Sequence, residues 1–183
     1  MSKLLFAAYQ KQGITDLIHE IDKDYYDVIG DLCRHASVHA AEIEFSDHQA
    51  ATKLYVNLCH QLIDEIKNHL KARKESFVPY IQTLIKKSSA NHDCRSCSGK
   101  CSVQHQLSLD EILIGHVSIK EIWLRIQQLT KPLYLEKVQS ISYKILRNEI
   151  MIIESALNEL LYIEENIIIP KVKDLQNAIH ATE

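Results

Sequence analysis

The chain has little punctuation: its 183 residues include only four Gly and three Pro. That composition excludes collagen-like and Gly/Pro-rich disordered classes. No stretch sustains period-2 alternation, and there is no Asn-Gly or Asp-Gly hairpin signal, so strands are not expected. No apolar run reaches the length of a membrane span. The Met1 end lacks a long apolar stretch with a cleavage site, so the expected location is the cytoplasm, away from membranes. An excess of one charge is missing too. The 21 Lys+Arg stand against 24 Asp+Glu, a net charge of −3, which argues against a general nucleic-acid binder. No Gly-rich phosphate loop, dinucleotide fingerprint or nucleophile–base pairing is visible, so none of the enzyme classes that use them is expected.

What is present is helical periodicity. Apolar positions recur at spacings of three and four. The first stripe is Ile18, Asp22, Tyr25, Ile29, Leu32, Ala36 and His39. The second opens at Ser46, a cap with Gln49 three residues on, and runs through Leu58, Leu62, His69, Arg73 and Phe77. The third opens with the capping box Ser108/Glu111 and continues through Leu109, Ile112, His116, Ile119, Trp123 and Ile126. Pro132 suits a first helical turn, so a fourth helix is expected to start there, with Ile153, Leu157, Leu160, Glu164 and Ile168 on its later stripe. Four such helices predict an all-α, up-down-up-down four-helix bundle, one domain over 1–183, with a Cys-rich loop at about 88–107.

Two segments repeat each other. In His69…Arg73…Pro79 and Leu160…Glu164…Pro170, a stripe position is followed by another four later and a Pro six after that. Each Pro would clash with the carbonyl four residues before it, at Glu75 and Asn166, and kink its helix at matching depth. Six polar or charged residues lie on the apolar stripes: Asp22, His39, His69, Arg73, His116 and Glu164. Buried charge must be paired or metal-bound, and bundle cores commonly host His and carboxylate metal sites.

On these residues the sequence resembles the hemerythrin-like family, especially the repair-of-iron-centres (RIC) di-iron proteins. The resemblance rests on Asp64-Glu-Ile-Lys-Asn-His69-Leu, Phe77-Val-Pro79, Glu164-Glu-Asn-Ile-Ile-Ile-Pro170, Val38-His39 and Gly115-His116, and it spans about Thr15 to Gln176. It implies that His39, His69, His116 and Glu164 occupy ligand positions, with Asp22 where the family places a His. It also implies that Arg73 replaces one bridging Glu, and Leu160 a His. Arg offers no lone pair. At about 4 Å its charge costs on the order of 4 kcal/mol per metal charge at an effective dielectric of 20, so two iron ions are not expected. A buried Arg73–Glu164 ion pair is expected instead, with Asp22 a second acceptor, and a single iron on the remnant ligands stays open.

The second cluster is Cys94-x2-Cys97-x3-Cys101-x3-His105. Three thiolates and an imidazole are a structural zinc composition. Redox-active thiols or cysteines without a role are the alternatives. The expected function is a binding, sensing or structural module that has lost the di-iron centre, with a metal- or redox-responsive loop. Self-association or a protein partner stays open. The competing expectation is an iron protein of stress defence or iron-centre repair, as in the family it resembles.

Overall fold

The computed structural model describes residues 2–46, 50–89, 100–130 and 140–181, and among these there is helix and no strand. Among the described residues, eight α-helices run Ser2–Lys11 (α1), Ile14–Ile21 (α2), Asp27–Ser46 (α3), Ala50–Ala72 (α4), Val78–Ser89 (α5), Lys100–Leu129 (α6), Ile141–Ile163 (α7) and Ile169–Ala181 (α8). Among the described residues, π turns join three pairs of these helices end to end: Asp22–Tyr26 links α2 to α3, Arg73–Phe77 links α4 to α5, and Glu164–Ile168 links α7 to α8. The result is a helical bundle in which α3 packs on α4 and α7, α4 on α6, and α5 on α8. None of the described helices is long and apolar enough to cross a membrane.

The stripes explain the core. Ile29, Cys33, Ala36, Ala40 and Ile43 of α3, Leu58, Leu62 and Ile66 of α4, Ile112, Ile119 and Ile126 of α6, and Ile150, Ile153 and Leu157 of α7 are all buried and belong to one apolar core. Their spacing keeps one face of each helix against its neighbours, and this burial supplies most of the helical stability. The α1 helix lay outside the sequence stripes. Its Tyr9 is buried, and Lys171 of α8 donates to the Gln10 and Gln12 carbonyls, pinning the turn that leads into α2.

The prolines act through the π turns. Val78 N–H bonds to the Arg73 carbonyl and Ile169 N–H to the Glu164 carbonyl, five residues back, immediately before Pro79 and Pro170. A π turn inserts one extra residue into the ladder, which moves the proline ring off the carbonyl it would strike. The Asp22–Tyr26 turn has no proline after it, and Asp27 N–H reaches the Asp22 carbonyl in the same way.

Several expected boundaries move. Ser46 does not open a helix but ends α3, with its hydroxyl donating to the Glu42 carbonyl. The Ser108/Glu111 box lies inside α6, which already starts at Lys100, because Lys100 to Leu107 contains no Gly or Pro to stop a helix. The last long helix starts at Ile141, not Pro132. Ser140 caps it, its Oγ accepting from Tyr143 N–H at 3.1 Å, while residues 131–139 lie outside the described set.

Candidate functional site

Each π turn begins with a charged residue of the core: Asp22, Arg73 and Glu164. A widened turn rotates its first residue relative to the α-helical face, and such turns concentrate at functional sites. Here they aim two opposite charges at one point. Arg73 Nη1 forms an ion pair with Glu164 Oε1, and the two side chains are 1% and 0% exposed. Tyr26 donates its hydroxyl to the same Oε1 at 3.0 Å and lays its ring under the guanidinium, 4.2 Å from Cζ to the centroid. The Phe77 ring lies 5.1 Å from Cζ. Arg73 Nε and Nη2 have no hydrogen-bond partner among the described residues.

The other carboxylate oxygen faces the histidines. His69 Nε2 lies 3.2 Å from Glu164 Oε2, and His116 Nε2 is in closer contact with it. His69 Nδ1 is buried without a partner, so its ring proton belongs on Nε2, donated to Glu164. Both nitrogens of His116 face carboxylates, because Nδ1 lies 2.9 Å from Glu165 Oε1. Lys120 donates to that same Glu165 oxygen at 2.6 Å. A continuous polar chain therefore runs from the exposed Lys120 through Glu165, His116 and Glu164 to Arg73.

The electrostatics follow from burial. Burial alone would push the Glu164 carboxyl up. Arg73 opposite it, with hydrogen bonds from His116 and His69, overrides that and holds it well below the usual carboxylate range. Burial pulls the Arg73 guanidinium down from its ordinary value, while Glu164 and Asp22 act against this. Asp22 is half-buried, and desolvation pushes it up against the opposing field of Arg73.

Gly115 makes the His69 placement feasible. A Cβ there would lie 2.8 Å from His69 Nδ1, closer than such contacts allow, so α6 accommodates the imidazole only at a glycine.

The residues picked out from the sequence thus divide. His69, His116, Glu164 and Arg73 come together. Asp22 reaches the cluster only through its charge. His39 is not part of it: half-buried on α3, its Nδ1 lies 2.9 Å from Glu149 Oε2 of α7. The reason is phase. The buried set along α3 is Ile29, Cys33, Ala36, Ala40 and Ile43, so after Ala36 the inward face continues at Ala40 and His39 falls one position off it. Cys94 and Cys97 lie outside the described residues; Cys101 and His105 fall on the first turns of α6 rather than in an irregular loop. Sequence reasoning missed Tyr26, Gly115, Lys120 and Glu165. Tyr26 carried a signal, since it stands four after Asp22 as Phe77 stands four after Arg73.

The donor set has a definite coordinating capacity. His69, His116 and Glu164 offer ligand atoms all within 4.8 Å of one another, a His2Glu group of the kind that holds one divalent ion. Arg73 occupies the second oxygen of Glu164, and Leu160, fully buried, contributes no donor. No family model matches this chain, and no curated protein or solved structure matches it either.

Proposed function

We propose that this chain is a hemerythrin-like, up-down-up-down bundle in which a salt-bridged polar core has replaced a di-iron centre, and that it works as a non-enzymatic binding or sensing module. One observation carries the reading. A guanidinium, fully buried and stacked on Tyr26, neutralises the central carboxylate that a metal pair would need. The cation requirement of the bundle centre is met by a side chain, and Leu160 leaves the opposite half without its imidazole. Zinc or redox chemistry at Cys94, Cys97, Cys101 and His105 remains part of this proposal.

The test is metal content by plasma emission spectrometry after anaerobic loading with Fe(II). Fewer than two Fe per chain, and no oxo-bridged absorption band, is expected; two Fe with that band overturns the reading. An Arg73→Glu, Leu160→His double variant is expected to take up iron that the parent does not. A second reading, a single ion on His69, His116 and Glu164, is favoured by the mutual approach of those three donors. One equivalent of bound metal in the parent, lost in His116→Ala, would select it.

A further inference from the structure

The face between α6 and α7 carries a feature that the polar core does not use. A half-open groove of about 280 Å³ runs between these helices. Its walls are Ile119, Leu124, Leu157 and Leu161, and at one end Trp123, Gln127 and Glu154 converge. A concave, mostly apolar site with a few converging polar groups is the form that small-molecule sites take.

The charges choose the ligand. Two ionisable side chains line the groove, Lys120 and Glu154. Lys120 is already committed, since its ammonium is paired with Glu165 at 2.6 Å. Glu154 has no ion pair among the described residues. Gln127 donates to its Oε1 at 3.3 Å, and the Trp123 indole is its other neighbour, so both groups around it are neutral. Burial pushes its carboxyl up from the ordinary value, and the groups that oppose this are the neutral side chains of Trp123 and Gln127. An acid partly desolvated beside an indole, without a paired cation, is complementary to an ammonium group. The apolar walls then suit a hydrocarbon or aryl body attached to it.

We infer that the α6–α7 groove binds a small amphipathic ammonium compound, with its apolar body against Ile119, Leu157 and Leu161 and its cationic head between Glu154 and Trp123.

Trp123 is the sole tryptophan of the chain, so its fluorescence reports on this groove alone. The full-length protein is titrated with 2-phenylethylammonium, with neutral 2-phenylethanol and with anionic 3-phenylpropanoate, exciting at 295 nm. A saturable change is expected for the ammonium, with affinity about tenfold above the alcohol, and the weakest response for the carboxylate. In Glu154→Gln the ammonium is expected to fall to the level of the alcohol, while the alcohol's affinity and the far-ultraviolet dichroism stay as in the parent. Leu157→Phe, which is silent at 295 nm, is expected to weaken ammonium and alcohol together by filling the groove. Equal or tighter binding of the carboxylate, no saturation with the ammonium, or an undiminished ammonium preference in Glu154→Gln overturns the inference.

Discussion

Replacing Arg73 with Met removes the charge and keeps much of the side-chain volume. Glu164 then loses its ion pair while it stays fully buried, with only the Tyr26 hydroxyl and two imidazoles as partners. Because both members of the pair are at most 1% exposed, solvent screening does not discount the loss. Breaking such a pair from one side costs roughly 3–5 kcal/mol. For a chain of this length each kcal/mol moves the melting temperature by about 2–4 °C, so a drop of about 6–20 °C is expected by calorimetry. Arg73→Met, Glu164→Gln is expected to recover most of it, because no charge then remains uncompensated. The pH dependence has a definite sign. In the parent, Glu164 is held below its unfolded value of about 4.3, so its contribution is complete above that value and is lost as pH falls below it. In Arg73→Met the burial contribution dominates and the folded carboxyl rises above the unfolded value. The variant's deficit should then shrink between pH 7 and pH 5, where the parent's stability from this group is flat. A variant within about 1 kcal/mol of the parent, single losses that simply add, or a deficit independent of pH would refute the reasoning.

Three further perturbations check the surrounding structure. Gly115→Ala gains about 1 kcal/mol of helix propensity but places a methyl 2.8 Å from His69 Nδ1; overpacking of roughly 1–3 kcal/mol should win, giving a lower melting temperature, and a stabilised variant would contradict the close approach. Ser140→Ala removes the cap of α7 and should cost about 0.5–2 kcal/mol by urea titration, with an unchanged midpoint counting against the cap. Cys33 and Cys59 are buried free thiols pushed up to about 12 by burial. Mass spectrometry should find both unmodified by a thiol reagent in the native protein at pH 8 and labelled in step with global unfolding; labelling in the native state would show α3 or α4 opening locally.

The helical bundle was legible because stripes such as Leu58, Leu62, His69, Arg73 and Phe77 keep their phase across the whole helix. The approach of Arg73 to Glu164 was legible for a related reason: the two Pro-terminated segments share one register, so equivalent positions lie at equivalent depth. What a 3.6-residue reading cannot see is a turn of different pitch. The π turn at Asp22–Tyr26 has no proline to announce it. His39 was misplaced by a finer ambiguity: beyond Ala36 the inward face steps by four to Ala40, so a stripe extended by three leaves the core and meets Glu149 instead. Glu165 was hidden for a similar reason. It directly follows Glu164, so periodicity assigns it to the outer face, yet it meets His116 from the side. Helix starts failed where capping signatures are short. Ser108/Glu111 reads as a box, but a helix already under way absorbs it.

The matched π turns at Arg73 and Glu164 have a consequence for how the two halves of the chain relate. Two identical hairpins brought face to face would set like against like, guanidinium on guanidinium or carboxylate on carboxylate, and in a dry interior that repels. Identical halves can share a metal between them; they cannot share a salt bridge. A chain that neutralises its centre with its own side chain has therefore given up interchangeable halves, and neither half can be swapped for a second copy of the other.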